Sequence, residues 1–231
     1  MKYHAMVRSG DCNAERFGSI MPVMKIKRLN LSEIKNIYRK YLVYDFPLLE
    51  QRPFSRIVRY HRQHCYAGYG GYDDMGHLLC YAFFYVRPVS EKGPDGKTLR
   101  KRVCLLDYLA VMKNHRDGGI GSKFLQSLSR HLAKREDLVF VEVENPDMAE
   151  NAEERATRER RMDFYIRNGL VDTGVTAVVW TVPYRIIEMD LGSAGRDTWE
   201  PHADDEIRNA VERVYHDFFP QPLYDRFIEI N

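Results

Sequence analysis

Apolar positions change their period several times along this chain, and each change marks an element. Met24-Lys25-Ile26-Lys27-Arg28-Leu29 alternates apolar and polar side chains, the period of two that a half-buried strand requires. From Glu33 to Tyr44 the residues Ile34, Ile37, Tyr38 and Tyr41 recur at helical spacing, with Ser32 placed to cap the first turn. Pro53 opens a second helix through about His61, since a first-turn position needs no backbone donor. Two strand-like runs follow, His64 to Gly70 and His77 to Val86, and Gly70-Gly71-Tyr72-Asp73-Asp74 between them predicts a hairpin. Pro88 to Lys101, with Gly93-Pro94-Asp95-Gly96 at its centre, predicts a longer reversal before a strand from Leu105 to Val111.

Ile120, Phe124, Leu128 and Leu132 then fall at successive i+4 steps, a core-facing stripe that predicts a helix from Ile120 to about Arg135. Leu138 to Val143 reads as a strand. Asp147 to Arg160 is strongly charged and reads as a solvent-exposed extension of a helix ending at Gly169, with Glu154 and Arg158 paired along it. Leu170 to Trp180 and, after Pro183, Tyr184 to Leu191 are the last strands. Asp204 to Phe219 is amphipathic, with Ile207, Val211, Val214 and Tyr215 at helical spacing, and Pro220-Gln221-Pro222 stops it. Residues 1–23 carry no sustained period. The expected organisation is a flexible extension over 1–23, a globular domain over 24–196 and a helical extension over 197–231.

Composition adds exclusions. At 231 residues and 44% hydrophobic content the chain can bury a real core, and Lys+Arg 35 against Asp+Glu 33 leaves a net charge of +2. That balance gives no reason to expect a nucleic-acid or membrane partner. No apolar stretch is long enough to span a bilayer and the first residues lack a signal-type apolar core, so a cytoplasmic protein is expected. Cys12, Cys65, Cys80 and Cys104 lie far apart without a C-x-x-C pair, and His61, His64 and Cys65 lack a second donor cluster, so no metal is expected.

The candidate chemistry lies in Arg116-Asp117-Gly118-Gly119-Ile120-Gly121-Ser122, between the strand ending at Val111 and the helix from Ile120. A glycine-rich turn feeding a helix aims unpaired backbone N–H groups at one point, where the helix dipole adds partial positive charge. Such a turn suits phosphate. A G-x-G-x-x-G fingerprint would need glycine at Phe124, and G-x-x-x-x-G-K-[ST] occurs nowhere in the chain. The pattern present is R-x-x-G-x-G. After Leu-Asp-Tyr-Leu-Ala-Val it resembles the cofactor motif of the GNAT superfamily of acyl-CoA-dependent N-acyltransferases. A second stretch, Arg161-Met162-Asp163-Phe164-Tyr165-Ile166-Arg167-Asn168-Gly169-Leu170, is similar to that family's second signature.

The resemblance covers roughly Met24 to Asp190 and implies an α/β (α+β) GNAT fold, a mixed, largely antiparallel sheet with helices on both faces. It implies acetyl transfer from acetyl-CoA to a primary amine by direct attack in a ternary complex, with the amine borne by a small molecule or a peptide. The Arg116–Ser122 turn would hold the CoA pyrophosphate, the backbone of Leu109, Ala110 and Val111 would face the thioester, and Tyr165 would be the general acid. Asn145 matches the family's asparagine after the fifth strand only loosely, since it precedes Tyr165 by twenty positions. For the base, Asp107, Glu142 and Glu144 are the acidic residues on the two central strands, and a water relay is the alternative; alternation puts Asp107 on one face with Leu109 and Val111. Arg52, Arg56 and Arg59 lie along one side of the second helix and read either as a solvated face or as an attractor for an anionic acceptor. The tail has three open roles: docking on the sheet, covering the acceptor site, or forming a homodimer. A CoA-binding sensor without turnover is the alternative function.

Overall fold

The computed structural model describes residues 24–92, 97–134, 138–192 and 200–231. The extension expected over 1–23, the reversal at Gly93–Gly96 and the start of the tail lie outside the described residues. The elements run β1 (Lys25–Leu29), α1 (Leu31–Ile37), a π turn (Tyr38–Leu42), α2 (Val43–Asp45), α3 (Phe54–Arg62), β2 (Tyr66–Tyr72), β3 (Leu78–Lys92), β4 (Thr98–Val111), α4 (Ile120–Leu132), β5 (Leu138–Glu144), α5 (Ala152–Ile166), β6 (Leu170–Val179), β7 (Val182–Met189), α6 (Asp204–Phe218), α7 (Gln221–Phe227) and β8 (Ile228–Ile230). Three-residue 3₁₀ turns at Leu48–Glu50, Lys113–His115 and Pro146–Met148 join them. The eight strands form one sheet in the order β1-β2-β3-β4-β5-β7-β6-β8, antiparallel except for β4 against β5.

Each face of the sheet carries its own core. One buries Ile34, Ile37, Ile57, Tyr108, Phe140 and Ile186 beneath α1, α3 and α6; the other buries Leu106, Leu109, Val141 and Val143 beneath α4 and α5. The stripe on α4 is fully used: Ile120, Phe124, Leu128 and Leu132 are all buried. The amphipathic tail helix docks as its spacing predicts, with Ile207, Val211 and Val214 at 0% exposure, each such burial contributing about 1.5–3 kcal/mol. β8 then returns to pair with β6, Ile228 opposite Val179.

Several local readings shift. α1 is capped by Asn30, not Ser32: the Asn30 side chain accepts from the Glu33 N–H (3.0 Å) while Glu33 accepts from the Asn30 N–H (2.8 Å), a reciprocal pair that a one-residue shift would lose. Gly70 and Gly71 belong to β2, and the hairpin turns at Asp73–His77 instead, where Asp73 accepts from the His77 N–H at 2.7 Å and Gly76 has φ +84°. Gly71 is required for closeness: a Cβ there would stand 2.5 Å from the Cys80 sulfur and 2.7 Å from that of Met24. In α5, Glu154 and Arg158 pair at 2.6 Å as expected, yet Arg158 is buried and also donates to the Asn145 carbonyl at 2.8 Å.

The largest correction concerns β4. Phe83 pairs with Tyr108 but Phe84 with Leu106, so Asp107 is the extra residue of a β-bulge. Asp107 and Tyr108 therefore both face the α1/α3/α6 core, and Asp107 does not share a face with Leu109 and Val111, which pack on the other side.

Candidate active site

The ladder between β4 and β5 is short. Only Val103–Leu105 pair with Leu138–Phe140, although β4 continues to Val111 and β5 to Glu144. Beyond those pairs the sheet has an internal opening at the C-terminal ends of its two parallel strands. The Met112 N–H bonds the Leu79 carbonyl of β3 (2.9 Å), and N–H directions alternate along a strand, so those of Leu109 and Val111 point away from β3 into this opening. The Leu109 and Val111 side chains sit on the α4/α5 face and Ala110 on the other.

The glycine-rich turn stands at the same end. Asp117 (φ +63°) and Gly119 (φ +73°) both take left-handed backbone, which folds the chain sharply onto the start of α4. No side chain caps this helix, and its first internal bond runs from the Lys123 N–H to the Gly119 carbonyl, so the N–H groups of Ile120, Gly121 and Ser122 have no partner within the helix. Arg116 does not project toward that cradle: its Nε donates to the Val111 carbonyl (3.1 Å) and its Nη2 to Asp45 (3.1 Å). Tyr81 donates to the other Asp45 oxygen at 2.9 Å. Burial raises the Asp45 pKa, with Tyr81 and Arg116 opposing it. Arg116 thus fastens the turn to β4 and α2.

Gly118 and Gly121 differ in what their missing side chains spare. A Cβ at Gly118 would meet only the His115 carbonyl at 3.9 Å, whereas one at Gly121 would press on the Phe164 ring at 3.2 Å and on Val111 at 3.3 Å. The bare backbone at Gly121 therefore eases the packing of α4 on α5, where a Cβ would require Phe164 and Val111 to give by a few tenths of an ångström.

Tyr165 is 5% exposed on α5, with its ring against Phe164 (centroids 5.2 Å apart). Burial pushes its phenol up to about 12, with Arg161 opposing, so the hydroxyl keeps its proton across the ordinary pH range. The three acidic candidates are all engaged. Asp107, fully buried, receives Arg52 Nε (2.9 Å), Arg52 Nη2 (3.0 Å) and the Tyr66 hydroxyl (2.6 Å). Glu144 receives Arg161 at 2.8 Å. Glu142 lies buried under α6, where burial and its carboxylate push the Tyr215 phenol upward, although the two groups fall short of full hydrogen-bond geometry. Asn145 turns its side-chain oxygen to the Asp147 N–H (3.0 Å) and caps the turn after β5.

Arg52 is the residue that sequence reasoning placed wrongly. It precedes α3 instead of lying along it, is 5% exposed, and its guanidinium stacks 4.0 Å from the Phe218 ring of α6. Burial alone would lower its pKa; the Asp107 carboxylate more than reverses this, so the group stays charged. Around it Tyr38 donates to the Arg52 carbonyl (3.0 Å) and Tyr108 to the Glu50 carbonyl (2.9 Å), tying the 46–53 loop to the sheet. Beside this loop and the turn after β4 lies a cavity of about 470 Å³, lined by Tyr41, Tyr44, Leu78, Met112, Lys113 and His115 among others.

Among the described residues no helix is long and apolar enough to cross a membrane. In comparison with solved structures the fold is similar to mutant forms of the spermidine/spermine N-acetyltransferase SpeG from Vibrio cholerae, at 10% identity over 76% of this chain and 100% of that chain, with a TM-score of 0.50. It is also similar to the ribosomal-protein-S18-alanine N-acetyltransferase from Escherichia coli, at 16% identity over 77% and 100% of the two chains, with a TM-score of 0.48. A third structure, spermidine N-acetyltransferase from Vibrio cholerae in complex with CoA and spermine, is 10% identical over 72% and 94%, with a TM-score of 0.47. No curated protein matches by sequence. The family description "Acetyltransferase (GNAT) family" matches residues 31–152, just over half of the sequence, and the chain therefore belongs to the GNAT family of acetyltransferases.

Proposed function

We propose that this chain moves the acetyl group of acetyl-CoA to a primary amine by direct attack within one ternary complex. The observation that carries the reading is the juxtaposition of an interrupted β4–β5 ladder with an uncapped helix N-terminus at the same end of the sheet. The N–H groups of Ile120, Gly121 and Ser122, with the turn Asp117–Gly119, would receive the pyrophosphate; Arg116 would hold that turn in place. The N–H groups of Leu109 and Val111, directed into the opening, suit the carbonyl oxygen of the thioester as it gains charge.

In the reaction the amine nitrogen attacks the carbonyl carbon, a C–N bond forms, and the C–S bond breaks with its electron pair on sulfur. Tyr165 gives its proton to sulfur as that bond breaks and recovers one from solvent, while the nitrogen sheds its second proton to water. A phenol raised to about 12 is a weak acid toward a thiol of pKa about 8.5, so transfer must accompany thiolate departure. The ammonium must first lose a proton. Because Asp107, Glu144 and Glu142 each already face a partner, relay through water is the reading we favour over a single carboxylate base. We take 24–196 as the transferase body, 197–231 as an extension covering one face of its sheet, and 1–23 as a leading extension.

The test separates ligand space from packing. Gly118→Val should keep the parental melting temperature and lower acetyl-CoA affinity at least tenfold in calorimetry, since the protein itself leaves room for that side chain. Gly121→Val should instead destabilise the fold by roughly 1–3 kcal/mol through crowding of Phe164. Parental acetyl-CoA affinity in Gly118→Val would remove the turn from the cofactor site.

A further inference from the structure

We infer that the amine acceptor is carried by a polypeptide, which docks across the apolar rim at the open end of the sheet. This deepens the transferase reading and rests on it. Among the described residues the exposed large hydrophobic side chains are Tyr44, Leu48, Met75, Met148, Ile166, Trp180 and Leu223. All of these except Ile166 fall at one end of the molecule. Topology shows why: β4 and β5 are parallel, so Met148 follows the open end of β5. Met75 lies in the β2–β3 turn, where β3 starts opposite the end of β4. Trp180 is in the β6–β7 turn, and β7 starts opposite the end of β5. α7, with Leu223, leads into β8 where Ile228 meets Val179, and Asp45, beside Tyr44, binds Arg116 and Tyr81 at the end of β4.

Scattered exposed apolar side chains carry no message, but their concentration at the mouth of one opening does. Between the β2–β3 turn and α7 this rim crosses five strand spacings, roughly 25 Å, the reach of about seven residues of extended chain. A small amine cannot contact it along that length. Charge points the same way. A polycationic amine needs available carboxylates, and two that flank the opening are already engaged: Asp45 by Arg116 and Tyr81, and Glu144 by Arg161. The cavity beside Tyr41 and Tyr44 is bordered by Lys40 and Lys113, and its one carboxylate, Asp45, is held by Arg116 and Tyr81, so it disfavours a polycation and accommodates peptide carbonyls or an acidic side chain. The acceptor that fits is a polypeptide amine flanked by apolar residues.

The experiment first titrates acetyl-CoA by calorimetry, which tests the transferase reading by itself. Thiol release is then followed with a library of peptides of random N-terminal sequence, with lysine-containing peptides, and with spermidine and spermine. Peptides with apolar residues beside the amine should be acetylated with kcat/KM at least a hundredfold above either polyamine. In Leu48→Ser and Met148→Ser, both at exposed positions (81% and 61%), KM for the best peptide should rise several-fold to tenfold, with kcat and acetyl-CoA affinity parental. Acetyl-CoA binding without acetylation of any peptide, a polyamine preferred over every peptide, or parental KM in both variants would each overturn the inference. Failure of acetyl-CoA to bind would overturn the transferase reading beneath it.

Discussion

Replacing Asp107 by asparagine removes one charge from a fully buried site and leaves the Arg52 guanidinium, 4% exposed, facing a neutral amide. The carboxylate now accepts three bonds, at 2.9, 3.0 and 2.6 Å, from Arg52 twice and Tyr66 once. An amide offers one accepting oxygen and points a donor at the remaining groups, so it cannot serve all three. Removing one partner of a buried ion pair costs about 3–5 kcal/mol, because the other charge stays buried and uncompensated. Against a typical total stability of about 5–15 kcal/mol the variant should still fold in the cold but unfold at much lower urea. Urea titration followed by far-ultraviolet circular dichroism measures this directly. The paired change Asp107→Leu with Arg52→Met should recover most of the loss, short of about 1–3 kcal/mol for the stranded Tyr66 hydroxyl. The opposite pattern would refute the reasoning: stability within about 1 kcal/mol of parent in Asp107→Asn, with single-turnover acetylation down more than about a hundredfold, would make Asp107 a base and not a strut.

Tyr165→Phe should keep acetyl-CoA affinity and lower single-turnover kcat roughly ten- to a thousandfold; with the parent phenol near 12, the parent rate should climb with pH and show no alkaline fall below about pH 11, and a fall near pH 9 would contradict the assignment. His202 bonds the buried Glu188 carboxylate through Nδ1 at 2.5 Å, chiefly through which its pKa is raised in the fold from 6.5. The stabilisation is therefore complete below about 6.5 and lost as pH rises through the folded value, so melting temperature should decline from pH 6 to 9 in the parent but not in His202→Gln; equal slopes would discount the pair. Deleting 203–231 should abolish cooperative unfolding, because α6 contributes Ile207, Val211, Val214 and Tyr215 to the same core as Ile186 and Tyr184, and a parental melting temperature would show that helix to be dispensable.

What could be read from the sequence were the features that one short segment specifies by itself. The stripe Ile120-Phe124-Leu128-Leu132 marks a helix through local spacing alone, whereas the left-handed backbone at Asp117 and Gly119 before it was not read from the sequence. The bulge at Asp107 was invisible, since one extra residue in a strand leaves no compositional mark while reversing which face later side chains occupy. Arg52 and Asp107 meet across β4 from distant parts of the chain, and nothing near either residue names the other. The closeness of Gly121 to Phe164 was not legible, because that contact is made only when α5 packs. Asn30 and Ser32 are both good caps, and the choice was made by Glu33, which reaches back to one of them alone.

The π turn Tyr38–Leu42 makes the loop above the opening depend on chain length. Val43 bonds back to Tyr38, enclosing one residue more than an α-helical turn would. On its near side Leu42 is fully buried, and on its far side Asp45 reaches Arg116 and Tyr81. Loss of one residue within the turn would let the helix run on as plain α with the segment beyond it close to its present orientation, whereas one added residue would rotate everything beyond it by about 100° relative to α1. An added residue would thus swing Asp45 off Arg116 and Tyr81. Substitutions at Arg39 or Lys40, both on the polar side, leave that geometry alone. The surplus residue makes this segment asymmetric toward changes of length: it can give up one residue and cannot take in another.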